Sequence, residues 1–101
     1  MRAALRFTSR AAADWKKLDV ATKERIDEAL EALRQEPRPA NLDDKALEGR
    51  APWRRLRVGD HRVIFRTFTA AERRQYESPK GYVIERLIDR RDLDRATKGL
   101  R

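Results

Sequence analysis

An unusual density of arginine marks one short segment of the chain, Trp53 to Phe65, which reads WRRLRVGDHRVIF. Apolar residues alternate with arginine on both sides of Gly59-Asp60, a pattern typical of two strands joined by a two-residue turn. Guanidinium groups bind phosphate through paired hydrogen bonds and stay protonated at physiological pH. The segment therefore predicts a surface that binds phosphate groups and stabilises negative charge developing on them.

A two-residue turn determines which side chains of this hairpin share a face. It pairs Val58 with His61 and Arg57 with Arg62, and the pairing continues back to Trp53 with Arg66. The predicted core face holds Leu56, Val58, Val63 and Phe65. The predicted opposite face holds Trp53, Arg55, Arg57, Arg62, Ile64 and Arg66. Like charges directly opposite each other destabilise a sheet, so Arg57 and Arg62 indicate either nearby carboxylates or an anionic ligand.

A last strand, opened by Gly81 and reading YVIERLI, adds two more arginines. Arg86 and Arg90 lie on one face of that strand, and the alternation predicts that the same face also carries Tyr82, Ile84 and Ile88. If this strand neighbours the one that carries Arg62, Arg90 reaches the same surface. The alternative is a solvated basic face that is balanced by Asp60, Glu85, Asp89 and Asp92.

Other residue types that could do chemistry are sparse. His61, the only histidine, could act as a general acid or base, but its register opposite to Arg57 and Arg62 favours a packing or turn role. Asp43-Asp44 lacks further ligands at metal-binding spacing. We therefore predict neither a metal site nor a cofactor.

The remaining elements form a scaffold for the arginine hairpin. Residues 2–7 are expected to be a strand, SRAAADWKKLD and ATKERIDEALEALRQE two joined helices, and 37–52 a connector. Residues 69–80 are expected to be a hairpin tip or mobile loop, and Asp92 to begin a short helix. The predicted fold class is α+β with the order β-α-α-β-β-β-α, in one domain spanning 1–101. Its helical hairpin packs on one face of a small, mostly antiparallel sheet.

Charge and composition indicate which classes of partner the protein can bind. Lys and Arg number 25 against 17 Asp and Glu, and the net charge of +8 favours a polyanionic partner. The chain has no cysteine, no signal-peptide pattern and no apolar run long enough for a membrane span. We therefore expect a cytoplasmic protein that does not bind membranes.

The run KALEGRAPWRRLRVGDHRVIF resembles the central hairpin of the RelE/ParE superfamily of bacterial toxins. Members commonly show a K-x-L-x-G element followed by an R-L-R-x-G-D-[YH]-R-V-[IL]-[YF] hairpin. The preceding helical hairpin and the final basic motif, here IDRRD, are similar too. The resemblance covers nearly the whole chain and implies a RelE-like fold and the toxin component of a type II toxin–antitoxin module.

For the nuclease branch of this superfamily, the resemblance implies cleavage of mRNA on the ribosome by 2′-hydroxyl attack, without metal. Arg62 and Arg90 would then bind the scissile phosphate, and Arg55 would orient the 2′-hydroxyl or hold a neighbouring phosphate. These three are the expected catalytic residues. The residues expected to bind RNA around them are Trp53, which could stack on a base, and Arg57, Arg66 and Arg86.

The resemblance also implies the partners, namely a cognate antitoxin, the ribosome and mRNA, with no small-molecule cofactor. Two alternatives remain open: a DNA gyrase inhibitor like the ParE branch, and a degenerate toxin that only binds its antitoxin. Many active members carry a tyrosine near the C-terminus, whereas this chain has Asp94 near that position and Tyr82 as its nearest tyrosine. Asp92 and Asp94 are candidate bases, although a helix-capping role is favoured for them.

Overall fold

The computed structural model describes residues 2–100, which form five strands, four α-helices and one 3-10 turn. The first half contains β1 (Ala4–Phe7), α1 (Ser9–Lys16), α2 (Val20–Arg34) and β2 (Asp44–Ala46). The second half contains β3 (Arg54–Val58), β4 (His61–Thr67), α3 (Ala70–Gln75), β5 (Gly81–Asp89), the 3-10 turn (Arg90–Asp92) and α4 (Leu93–Thr97). Within 2–100, no helix has the length and apolar character needed to cross a bilayer.

The five strands form one sheet in the order β1-β5-β4-β3-β2. The β1–β5 pair is parallel and the other three pairs are antiparallel. The predicted α+β class with a mostly antiparallel sheet is confirmed. The last strand lies inside the sheet, second from its edge, between the first strand and the arginine hairpin.

Two elements are missing from the predicted order. The connector 37–52 contains β2, whose three residues are too few for an alternating pattern to show. Residues 69–80, expected to be a hairpin tip or mobile loop, contain α3. The helix begins with a capping box in which the Thr69 side chain accepts from the Glu72 N–H and the Glu72 side chain accepts from the Thr69 N–H. That T-x-x-E spacing is visible in the sequence.

The predicted register of the arginine hairpin is confirmed from Arg54–Phe65 through Val58–His61. Gly59 adopts a positive φ of 58°, which glycine reaches without steric cost, and this allows the two-residue turn. The pair Trp53–Arg66 lies beyond the end of β3, yet its side chains still meet. The Arg66 guanidinium carbon lies 5.6 Å from the centre of the Trp53 ring.

The main core fills the space between the helical hairpin and one face of the sheet. Thr8 caps α1 and Asp19 caps α2, each through a side-chain oxygen that accepts a backbone N–H three residues later. The buried residues from the helices are Ala11, Ile26, Leu30 and Leu33, and those from the central strands are Leu56, Val63, Phe65, Tyr82, Ile84 and Leu87. The predicted core face of the hairpin is therefore confirmed, with Val58 half-buried at its margin.

The opposite face of the sheet is partly covered. Trp53, Ile64 and Ile88 form a second buried cluster, and the apolar residues packed against it are Leu47 from the connector and Leu93, Ala96 and Leu100 from the C-terminal segment. Removing large apolar side chains from water is favourable by about 1.5–3 kcal/mol each, which explains why this part of the face is covered. Only the half of the face near the Gly59-Asp60 turn remains for arginine.

A β-bulge in β5 changes which of its residues share a face. Ile64 pairs with Arg86 and Phe65 pairs with Ile84, so Glu85 is an extra residue on β5. Tyr82 and Ile84 consequently belong to the main core, whereas Ile88 belongs to the second cluster. The prediction that these three share a face is wrong, because strict alternation does not continue through a bulge.

Arg66 and Glu72 join α3 to the sheet. Both terminal nitrogens of Arg66 donate to the Glu72 carboxylate, at 2.6 and 3.1 Å, while the guanidinium lies over Trp53. These hydrogen bonds from Arg66 lower the pKa of Glu72 from an ordinary 4.5 to about 2, against the opposing effect of burial. The pair is mostly shielded, with 22% and 20% of the two side chains exposed.

The close approach of Gly81 to Phe68 gives a first prediction. A Cβ on Gly81 would lie 2.2 Å from the buried Phe68 ring, which itself packs against Tyr76. Overpacking of this kind should lower the free energy of unfolding of Gly81→Ala by about 1–3 kcal/mol in urea denaturation. Gly99→Ala is the control, because a Cβ on Gly99 would meet its nearest atoms at 3.8 Å, an ordinary van der Waals distance. Equal losses in both variants would contradict the contact.

The Arg66–Glu72 pair gives a second prediction, about pH. Because the folded pKa of Glu72 is depressed, its stabilisation is complete above about pH 4.5 and is lost as the pH falls towards 2. Near-surface screening reduces the expected effect to about 1–2 kcal/mol. Urea denaturation should show wild type more stable than Glu72→Gln by that amount at pH 6, with the difference shrinking between pH 4.5 and pH 2. A difference independent of pH would rule out this role.

Candidate nucleic-acid interface

Four arginines lie together on the uncovered part of the sheet face, around the end of the β3–β4 hairpin. We call Arg55, Arg57, Arg62 and Arg90 the arginine patch. Arg57 and Arg62 are direct cross-strand partners. Arg55 lies two residues before Arg57 in β3 and therefore on the same face. Arg90 comes directly after β5, and its backbone N–H donates to the Asp60 carbonyl at 2.8 Å. That bond ties the end of β5 to the hairpin turn.

Arg62 is the member of the patch that the other arginines surround. Its Nη1 donates to the carbonyls of Gly59 and His61, at 3.0 and 2.9 Å. Among residues 2–100, no carboxylate oxygen lies within 4 Å of its guanidinium nitrogens. Burial lowers the pKa of Arg62 first, and the charges of Arg57, Arg55 and Arg90 lower it further. The site therefore concentrates positive charge where an anion would relieve the repulsion.

Arg55 and Arg57 share one carboxylate, that of Asp43. Arg55 Nη1 lies 3.0 Å from Asp43 Oδ1, and Arg57 Nη1 lies 3.9 Å from Asp43 Oδ2. The Arg55 side chain is only 19% exposed, compared with 56% for Arg57. The hydrogen bond from Arg55 holds the pKa of Asp43 below its usual value. Arg55 is thus oriented in the free protein, while Arg57 keeps most of its surface in contact with solvent.

Arg90 is held loosely. Its Nε lies 3.9 Å from Asp60 Oδ1, and the two side chains are 62% and 78% exposed. Exposed pairs at such distances contribute little, so the Arg90 guanidinium can turn towards a ligand at small cost. The structure therefore brings together the three residues predicted to be catalytic, Arg55, Arg62 and Arg90, with Arg57 among them.

Three residues predicted to bind RNA lie outside the patch. Trp53 is buried, with 7% exposure, so its ring is not available to stack on a base. Arg66 is engaged with Glu72 and covers the Trp53 ring. Trp53 and Arg66 thus have structural contacts within the fold, and RNA binding by them stays a prediction.

Arg86 is likewise a structural residue. Its Nε and Nη2 donate to the two oxygens of Asp14 in α1, at 2.8 and 3.2 Å. The same carboxylate accepts the backbone N–H of Leu87 at 2.9 Å, beyond the point where β1 stops pairing with β5. Asp14 thus pairs with the edge of β5 and with the Arg86 charge together, and RNA binding by Arg86 stays a prediction.

Sequence reasoning missed Lys45 and the role of Asp43. Both lie in the predicted connector, where β2 places Lys45 directly opposite Arg55. The charge of Lys45 also contributes to the lowered pKa of Asp43. The sequence did contain a signal for Lys45, because it is the lysine of the K-x-L-x-G element. In the structure, β2 places this lysine beside the patch.

The adjacent aspartates Asp43 and Asp44 serve different purposes. Asp44 has a side chain only 7% exposed and accepts from Arg38 and, at 2.8 Å, from Arg54. Arg38 also donates to the Tyr82 hydroxyl at 2.8 Å, so this network fastens the connector to the main core. Tyr82 is fully buried there, which removes the nearest tyrosine from the surface that the patch occupies.

The remaining candidates for proton transfer lie elsewhere. His61 lines a cavity of about 240 Å³ with Thr22 and Arg25 of α2, on the side of the hairpin opposite the patch, as its register predicted. Asp92 is the N-cap residue of α4, as predicted, but its side chain accepts from Arg95 at 2.8 Å and makes no capping hydrogen bond. Asp89 caps the 3-10 turn instead, by accepting the Arg91 N–H. Asp94 lines a cleft between α4 and the connector.

The patch can bind phosphates and neutralise charge that builds up on them. Guanidinium groups form charge-assisted hydrogen bonds with phosphate oxygens, and prepositioned donors stabilise a phosphoryl group most where its charge grows. Since arginine stays protonated, these residues act electrostatically rather than by taking protons.

Three solved structures are among those similar to this chain. A chain of the RelB–RelE antitoxin–toxin complex from Methanococcus jannaschii matches with a TM-score of 0.67 and 17% identity, covering 90% of this chain and 96% of that one. The RelE–RelB complex from Pyrococcus horikoshii gives 0.65 and 26%, covering 89% and 97%. A mutant of the E. coli toxin RelE in the free state gives 0.65 and 17%, covering 97% and 92%.

Comparison with sequences gives a single family match, and that match identifies the family. No curated protein sequence matches this chain. The family model described as the ParE toxin of type II toxin–antitoxin systems, parDE, matches residues 5–94, which include nearly all of the sheet and all of the arginine patch. With its RelE-like fold, this chain therefore belongs to the ParE toxin family of type II toxin–antitoxin systems, within the RelE/ParE superfamily.

Proposed function

We propose that this toxin stops translation by cleaving mRNA on the ribosome. The observation that supports the proposal is the position of Arg62, which lies among three further arginines without a carboxylate of its own in residues 2–100. A binding surface for a single anion needs fewer charges than this. A site that stabilises a phosphoryl group as its charge increases benefits from several guanidiniums converging on one position.

In the proposed reaction, the 2′-oxygen of one nucleotide attacks the adjacent phosphorus. The bond from phosphorus to the 5′-oxygen of the next nucleotide breaks, leaving a 2′,3′-cyclic phosphate and a 5′-hydroxyl. The 2′-hydroxyl loses a proton and the leaving oxygen gains one, so no water, metal or oxidant is consumed. Arg62 and Arg90 hold the scissile phosphate, and Arg55 orients the 2′-hydroxyl or holds the neighbouring phosphate. Proton transfer falls to groups other than these arginines.

We also propose that a cognate antitoxin with an acidic segment covers the patch. Two of the structurally similar proteins were solved as antitoxin–toxin complexes. The net charge of +8 and the exposed guanidiniums of Arg57 and Arg90 complement such a segment. The antitoxin would then block the same arginines that bind RNA.

A second candidate function is inhibition of DNA gyrase without RNA cleavage. It is favoured by the family match, which is to the ParE toxin rather than to a RelE family model. The two functions differ in the fate of mRNA in cells, so one experiment distinguishes them.

The experiment is controlled expression of the toxin with mapping of mRNA 5′ ends across translated frames. Wild type should produce cuts clustered within codons. Arg62→Ala and Arg90→Ala should each reduce cleavage by about 100-fold or more, in cells and on purified translating ribosomes, because each removes a charge from the transition state. Arg74→Ala is the matched control, since Arg74 is an exposed arginine of α3, a helix outside the patch.

Intact mRNA together with an induced DNA-damage response would overturn the nuclease proposal in favour of gyrase. Normal growth, with neither cleavage nor DNA damage, would overturn both and support a toxin that only binds its antitoxin. Thermal unfolding of each variant shows whether lost activity reflects lost charge, because surface substitutions should change stability by no more than about 0.5 kcal/mol.

A further inference from the structure

The carboxylate of Asp43 occupies the arginine patch in the way that a phosphate would. One of its oxygens faces Arg55 at 3.0 Å, and the other faces Arg57 at 3.9 Å. Two guanidiniums that each meet a different oxygen of one anion form the same arrangement that arginines adopt around phosphate. Part of the patch is therefore filled by the protein's own side chain.

Asp43 can leave this position without disturbing the fold. Its side chain is 41% exposed, and only the contact with Arg55 is short. Its backbone is held separately, because its carbonyl accepts the Arg57 N–H at 2.9 Å and the next residue, Asp44, is fixed by Arg38 and Arg54. Rotation about the side-chain bonds of Asp43 is therefore enough to remove its carboxylate from both arginines, while Arg55 Nη1 keeps its hydrogen bond to the Asp43 carbonyl at 3.3 Å.

Asp43 also acts on the rest of the patch by its charge. It is the carboxylate that partly offsets the repulsion which Arg62 experiences from Arg57, Arg55 and Arg90. In the free protein it compensates a concentration of positive charge that would otherwise attract any phosphodiester. An RNA phosphate must replace this carboxylate before it can reach Arg55.

We infer that Asp43 is an internal counter-ion that occupies a phosphate position of the free toxin and is displaced when RNA binds. The inference rests on the proposed function for the identity of its ligand. Its consequence is selectivity: a ligand that brings several phosphates to the patch at once can displace Asp43, whereas an isolated phosphate competes poorly with a carboxylate that is already in place.

The test measures binding to the 101-residue toxin by fluorescence anisotropy, with a labelled single-stranded RNA made uncleavable by 2′-O-methyl groups. At about 0.15 M salt, Asp43→Asn should bind roughly fivefold to tenfold more tightly than wild type, since it removes a competing charge from the patch. The matched control is Asp27→Asn, the same change at an exposed position on α2, which should alter affinity by less than about twofold. Thermal unfolding confirms that each variant is folded.

A double-mutant cycle separates displacement from a general charge effect. In an Arg55→Ala background, Asp43→Asn should give a clearly smaller gain than in the wild-type background, because the short contact that Asp43 blocks is already absent and only its longer-range effect on Arg57 and Arg62 remains. Weaker binding by Asp43→Asn in the wild-type background would show that Asp43 positions Arg55, and would overturn the inference. An equal gain with and without Arg55, or failure of Asp43→Asn to bind the RNA at all, would overturn it as well.

This assay needs neither the ribosome nor RNA cleavage. If the toxin does not cleave mRNA, the effect of Asp43 on phosphodiester binding is still measured. If Asp43→Asn has no effect, loss of cleavage in Arg62→Ala would still support the nuclease. The two proposals therefore fail separately.

Discussion

Repulsion between Arg57 and Arg62 is the constraint on which the arginine hairpin depends. Two guanidiniums directly opposite each other in neighbouring strands oppose pairing, and an unsupported hairpin would separate them by slipping or opening. Burial of the apolar side chains on the opposite face of the hairpin prevents such slipping or opening. Leu56, Val63 and Phe65 are fully buried against the helices, and a slip of one residue would turn the apolar side chains of the slipped strand away from this core.

The second cluster adds to this constraint from the arginine side of the sheet. Trp53, Ile64 and Ile88 are covered by α4 and the connector, so the far half of the same face is fixed by apolar contacts. The patch is therefore a bounded area at the hairpin end. Ion pairs with Glu72 and Asp14 remove Arg66 and Arg86 from it, which leaves four arginines concentrated where β3, β4 and the end of β5 meet.

The parts of this structure that could be predicted from sequence are those determined by nearby residues. The turn at Gly59-Asp60 and the alternation around it were sufficient for the register of the hairpin and for placing Arg55, Arg57 and Arg62 on one face. Arg90 was placed on the same surface on the condition that the last strand neighbours the one that carries Arg62, as β5 does, and the resemblance added its expected catalytic role. The bulge at Glu85 could not be predicted, because an extra residue leaves the composition of a strand unchanged while reversing its faces.

The roles of the other charged residues depend on partners that are distant in sequence. Arg86 meets Asp14 from the first helix, and Trp53 is covered by a helix that follows it much later in the chain. Arg66 and Glu72 are close in sequence, and there the capping box of α3 is a local signal for the helix that carries Glu72. The alternation of a strand thus predicts which face a charged side chain lies on. Whether that side chain can bind a ligand depends on the residues that pack beside it.

The position of β5 inside the sheet has a consequence for how this protein is made. β5 pairs on one side with β1, the first strand, and on the other with β4, so the sheet cannot be completed until residues 81–89 have been synthesised. Arg90 lies directly behind that strand and joins the hairpin turn only after β5 is in place. A nascent chain that still lacks this segment holds an incomplete arginine patch. The order of synthesis thus delays completion of the patch until almost the whole domain has left the ribosome.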